Sequence, residues 1–232
     1  MTAFRTRVAA GPLALAALAL SAALALPAGS ARAAPQVERV RGTIDSVGPD
    51  TVTVRTVDGK TETVRFAPTT RFAHVIRASL DAVKEGSFIG TAAKPGTPPT
   101  ALEVVIFPEA LRGAGEGHYA WDMLPDTVSG GGAVETSMTN GTVQAPRVET
   151  SMTNGTVAAS AAANGERTLT VAYKGQSIVI AVPAKAPVVT LEPADAAILV
   201  PGAKVFAVAA RDGDRLDARS VSVGKDGLTP PM

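Results

Sequence analysis

The stretch RGTIDSVGPDTVTVRTVDGKTETVRFAP, Arg41 to Pro68, alternates apolar and polar residues on either side of a glycine turn, with Val52 and Val54 before it and Val64 and Phe66 after it. Successive side chains of a strand point to opposite faces, so a period of two marks strands with one buried side. Asp58-Gly59 between them supplies residues that accept positive φ, as a tight hairpin requires. The same plan returns in NGTVAASAAANGERTLTVAYKGQSIVIAVP, Asn154 to Pro183. There Ile178, Ile180 and Val182 alternate and Lys174-Gly175 holds the turn. Each copy opens on Gly-Thr-aliphatic and stops at a proline.

The correspondence continues downstream, where SLDAVKEGSFIGTAAKPGTPPTALEVVIF (Ser79 to Phe107) matches DAAILVPGAKVFAVAARDGDRLDARSVSV (Asp195 to Val223). Both read as a helical turn ending at a glycine, Gly86 or Gly202, then a strand, a polar turn and a last strand. Glycine caps such a turn at positive φ without a Cβ penalty. Three meandering strands, a short helix and two more strands is the order of a small Greek-key barrel of the OB kind. The expected fold is therefore all-β: two tandem small OB-like barrels of five to six strands, each with one short helical turn, joined by an irregular connector. An open sandwich gives almost the same pattern, and closure is favoured because it hides the edges of strands rich in Val and Thr. The boundaries that follow are 1–33 for a signal peptide, 34–107 for the first barrel, 108–153 for an acidic, Gly-rich connector and 154–232 for the second barrel.

The Gly-Thr-aliphatic opening, the glycine hairpins, the helical turns LDAVKEG and AAILVPG and the ending DGDRLDARSVSV together resemble the bacterial domain-of-unknown-function 5666 family, once per half. The strings MTNGTV, YKG, PGAKVF and VGKDGLTPPM also look like those of exported proteobacterial proteins often labelled metal ABC transporter permeases. A permease needs several spanning helices with satisfied backbones. What the resemblance implies for this chain is an exported accessory protein, not a pore.

Arg5 and Arg7 precede the apolar run LALAALALSAALAL, Leu13 to Leu26, which Pro27 and small residues follow. This is the three-part pattern of a secretory signal peptide, and Ala31 and Ala33 place the cut after Ala33. The run is short for a bilayer core of about 30 Å, and no later segment reaches the roughly eighteen apolar residues of a spanning helix. The expected location is the periplasm or the exterior, with no membrane span after cleavage. Cysteine is absent, which removes disulfides, thiol nucleophiles and thiolate metal sites. The whole chain carries a net charge of +1 and loses Arg5, Arg7 and Arg32 with the leader. A surface so near neutrality has no general drive toward nucleic acid or anionic lipid. The scattered Phe66, Phe72, Phe88, Phe107, Tyr173 and Phe206 read as core residues, not as a stacking platform in a basic groove.

The acidity sits in the connector, where Arg112 and Arg147 face Glu109, Glu116, Asp122, Asp126, Glu135 and Glu149. The same segment holds His118, Tyr119 and the one tryptophan, Trp121, in EGHYAWDMLPD. Two readings stand. One is a divalent-cation site made by His118, Glu116, Asp122 and Asp126, since imidazole and carboxylate suit several such metals. The other is a solvated acidic segment whose Tyr119 and Trp121 are interaction residues packing across the barrels. Burying an indole removes on the order of 150 to 250 Å² from water. Trp121 is therefore expected in the cleft between the halves, with Tyr119 and Met123 beside it and His118 and Asp122 facing solvent.

The decapeptide VETSMTNGTV occurs twice, at Val134–Val143 and at Val148–Val157. Asn154-Gly155-Thr156 aligns with Arg41-Gly42-Thr43, so the second copy is expected to open the second barrel. The first is expected to be a surface duplication, where loop lengthening costs little entropy. SGGGAV, Ser129 to Val134, lacks the Gly-Lys-Ser/Thr of a phosphate loop and reads as a flexible linker. No GxSxG elbow is present either. No catalytic residue and no resident cofactor is assigned. The expected function is a non-catalytic exported protein that binds an envelope protein or a glycan, and a metal-handling accessory role through the acidic connector is the alternative.

Overall fold

The computed structural model describes residues 36–145 and 166–230, so the leader and the second decapeptide lie outside the described residues. The described chain is all-β, its helical content confined to single 3-10 turns. In order come β1 (Gln36–Val47), β2 (Thr51–Thr56), β3 (Thr61–Arg65), β4 (Arg71–Arg77), β5 (Phe88–Lys94) and β6 (Thr100–Ile106). The middle supplies β7 (Gly117–Ala120), β8 (Leu124–Pro125), β9 (Ala133–Val134) and β10 (Ser137–Gln144). Then follow β11 (Arg167–Tyr173), β12 (Gln176–Val182), β13 (Val188–Ala194), β14 (Lys204–Asp212) and β15 (Arg215–Gly224).

The internal repeat is visible in matching details. Ser79 caps the turn Leu80–Ala82 by accepting from the Asp81 N–H, and Asp195 caps Ala196–Ile198 by accepting from the Ala197 N–H. Gly86 and Gly202 follow at φ of 82° and 86°. The β11–β12 hairpin turns through Lys174 and Gly175, both at positive φ, the conformation a two-residue hairpin loop of this hand requires.

The halves do not close on themselves. β1, β2 and β3 pair in sequence, but the free edge of β1 takes β14, with Gly42 opposite Val205, and β3 meets β15 at Leu216 and Val64. The β14–β15 hairpin completes a first ring of five strands. β10, β11 and β12 are joined in the same way by β5, with Gly141 opposite Ile89, and by β6, where Ala181 meets Thr100. The β5–β6 hairpin completes the second ring. β4 and β13 pair with each other and bridge the two, in the order β15-β4-β13-β6. Each ring thus takes three strands from one half and two from the other.

The cores follow the rings. Val40, Ile44, Val52, Val54 and Val64 bury against Val205, Ala207, Leu216 and Val221 in the first. Ile89, Leu102 and Val104 bury against Met138, Val171, Ile180 and Val182 in the second. Val75, Val105 and Val189 fill the seam along β4, β6 and β13. The Gly86 N–H donates to the Val143 carbonyl at 2.9 Å and the Gly202 N–H to the Ile44 carbonyl at 2.7 Å, so each helical turn is tied to the opening strand of the other half.

The expectation of consecutive barrels at 34–107 and 154–232 is therefore corrected, and the chain from Ala34 onward is one compact unit. Alternation decides which face of a strand is buried, but two halves of like pattern offer like edges, and pattern does not choose between them. One chooser is Thr70, whose hydroxyl accepts from the Ala67 N–H at 2.9 Å and donates to the Ala218 carbonyl at 2.9 Å, aligning β4 with β15 of the other half. The connector is corrected too: it is not irregular but contributes β7 to β10. The first decapeptide, not a surface duplication, forms the interior strand β10, in which Met138 and Thr139 are 1% exposed. Gly141 there is the counterpart of Gly42. A Cβ at Gly42 would overlap the Arg55 carbonyl and lie 2.8 Å from Val54 Cγ1, and one at Gly141 would overlap the Ala172 carbonyl and lie 2.8 Å from Val171 Cγ1. Among the described residues no helix is long and apolar enough to cross a membrane.

Candidate functional site

Arg39 and Arg41 stand two apart on β1, so both side chains leave the same face of the first ring. Opposite them the connector runs out of β7 through Trp121, whose backbone N–H donates to the Thr136 carbonyl at 2.9 Å. The Thr136 hydroxyl in turn donates to the Asp122 carbonyl at 2.6 Å. This double tie fixes the Asp122 carboxylate, which takes Arg39 Nη1 at 3.0 Å on one oxygen and Arg41 Nη1 on the other. The Arg39 guanidinium lies 3.6 Å above the Trp121 ring, and Arg41 lies 4.7 Å over Phe206. Trp121 packs against the core of the second ring. The cluster is a clasp between the first ring and the connector.

Its strength is shared between charge and stacking. Partly exposed ion pairs contribute roughly 0 to 1 kcal/mol each, and an arginine over an indole contributes about 0.5 to 2 kcal/mol according to how far it is desolvated, the Arg39 side chain being partly exposed. Tyr119 extends the stack, its ring centroid 5.9 Å from that of Trp121. Burial pushes the Tyr119 phenol up from its ordinary value, and the nearby Arg39 cation acts in the opposite direction. Trp121 Nε1 and two nitrogens of Arg41, Nε and Nη2, are buried and meet no acceptor among the described residues.

Trp121 and Tyr119 therefore lie together, but Met123 turns outward and is 61% exposed. His118 is exposed as expected, with its Nδ1 2.8 Å from Thr139 Oγ1. Asp122 does not face solvent freely, because two arginines of β1 capture it.

The four residues considered as cation ligands are held apart by different partners. The Glu116 carboxylate accepts from the Lys174 N–H at 2.9 Å. Asp126 binds Lys94 Nζ at 2.7 Å and accepts from the Val128 and Ser129 N–H groups at 3.0 and 2.7 Å. Its hydrogen bond from Lys94, ahead of those from the backbone, lowers the carboxyl pKa to about 2. No three His, Asp or Glu side chains gather around one point among the described residues.

Sequence reasoning missed Arg39 and Arg41. Their sign was the spacing of two arginines on one face of a strand near an acidic connector, but only the strand exchange reveals which surface they meet. No family model matches the chain, and no curated protein or solved structure matches it.

Proposed function

We propose that the chain is an exported, non-catalytic binding protein of the bacterial envelope, and that its contact surface is centred on the clasp. The observation that carries this reading is that Tyr119 and Met123 remain exposed beside the Arg39–Trp121 stack. Tyrosine, tryptophan, methionine and arginine are the residues enriched where proteins make contacts, and tryptophan, tyrosine and arginine dominate the energy. The clasp also holds Arg39, Trp121 and Tyr119 in one stack before any ligand arrives, which reduces the ordering cost of binding. The leader supports the location. The partner class is an envelope protein or a glycan, both able to cover an aromatic surface bordered by hydrogen-bonding groups.

The test places a photo-crosslinking benzoylphenylalanine at Tyr119 in the exported protein in living cells. A discrete adduct is expected, reduced about tenfold, equivalent to roughly 1.4 kcal/mol, when Arg39→Ala is added. Absence of any adduct from cells in which the protein accumulates in the envelope overturns the proposal.

A further inference from the structure

The place of β10 in the second ring is a narrow slot. β10 pairs with β5 from Ser137 to Thr142, with β7 from Ser137 to Asn140 and with β11 from Thr142 onward. The slot buries Met138, Thr139 and Asn140. It ties Asn140 Nδ2 to the carbonyls of Ala114 and Gly115 at 3.4 and 3.2 Å, and it leaves no room for a Cβ at Gly141. Few sequences meet all of these demands together. The chain contains two that do, because Val148–Val157 repeats Val134–Val143 residue for residue. Of the strand itself only the exposed end differs, where Gln144 has Ala158 as its counterpart.

We propose that the slot is a binding site for either decapeptide, so that the protein has two registers in which the first or the second copy serves as β10. In the register described, residues 126–132 join β8 to β9 and residues 145–166 join β10 to β11. In the other, the corresponding connections are 126–146 and 159–166. One is short and one long in both cases, and closure entropy varies only with the logarithm of length. Neither register is therefore strongly favoured by its loops. What changes is local: Ala133, opposite Pro125, gives way to Arg147, and Gly132, whose carbonyl accepts from the Asp126 N–H, gives way to Pro146. The exchange moves fourteen residues from the β11 side of the slot to the connector turn that carries the Lys94–Asp126 pair. A register shift of this kind reshapes one face of the molecule without changing its core.

Glycine gives a sharp test. Gly141→Val and Gly155→Val are made singly and together in the full mature chain, with Gly42→Val, which has no second copy to replace it, as the control. Each of the first two singles is expected to melt within a few degrees of the parent. The double variant and Gly42→Val are expected to lose about ten degrees or more. If Gly141→Val alone falls as far as the double variant, or if the double variant melts like the parent, the proposal is overturned. The exchange in the otherwise unaltered chain is read by disulfide trapping, which the absence of native cysteine makes clean. Ser137 lies opposite Ala93 on β5, and Ser151 is its counterpart in the second copy. In a glutathione buffer the A93C/S137C and A93C/S151C variants are both expected to form the bond within the monomer. Bonding in A93C/S137C alone, or bonding in A93C/S151C only between molecules, overturns it.

Discussion

Trp121 is where residue-scale chemistry has the largest reach. It joins the second core on one side and carries Arg39 on the other. Replacing it by alanine removes both contacts and frees Asp122 and its two arginines to separate. Trp121→Ala is expected to cost about 2 to 4 kcal/mol, toward the lower side of full core truncations because the ring is only partly buried. The measurement is a melting temperature lowered by roughly five to fifteen degrees. A change of less than two degrees would contradict the packing described. Asp126 supplies a second, pH-dependent prediction. Its pKa is about 2 in the fold against an ordinary value of 3.8. A folded-state pKa below the unfolded one gives stability that is present above the unfolded value and is lost as pH falls through the folded one. The difference in melting temperature between the parent and Asp126→Asn should therefore hold from neutrality to about pH 4 and shrink toward zero near pH 2. A difference that vanished by pH 5 would remove Lys94 as the partner that lowers the acid.

At the scale of single elements the sequence was highly legible. The alternation of Val52, Val54 and Val64 and of Ile180 and Val182 marked strands and their buried faces, and the two cores contain all five. The glycines ending the helical turns were legible for the same reason, a local steric rule with no need of distant partners. Gly86 and Gly202 have open space around a would-be Cβ, so substitution there costs backbone strain alone. Gly86→Val and Gly202→Val are expected to destabilise by about 1 kcal/mol each, read as equal losses in denaturant midpoint at unchanged slope. Unequal losses would show that the turns are not equivalent. β10 was not legible, because two identical strings cannot be told apart by pattern. The Asn-Gly-Thr that matches Arg41-Gly42-Thr43 was assigned to the copy outside the described residues, while the first copy forms the strand. In the candidate site Trp121 and Tyr119 stood out by rarity of type. The arginines that complete the clasp did not, since nothing local marks β1 as their neighbour.

For the whole molecule the illegible quantity was partnership. Each half looked self-sufficient because it contains the strands of a complete barrel, yet β1 pairs with β14 and β10 with β5. The halves should therefore be mutually dependent. Residues 34–112 and 113–232, produced separately, are expected to show no cooperative unfolding. Mixed in equal amounts, they are expected to assemble into a one-to-one complex with the melting profile of a folded protein. A cooperative transition in the first fragment alone, as a monomer, would contradict the exchange. The same arrangement governs what happens during synthesis. The first ring needs β14 and β15, which end at Gly224, and the second needs strands that follow β10. At translation rates of about 5 to 20 residues per second, β1 waits on the order of ten to thirty-five seconds for the edge it will pair with. A nascent chain with no closed ring has nothing to unfold before it is threaded through an export channel, so for the exported protein proposed above the order of the strands itself would delay folding until the passage is made.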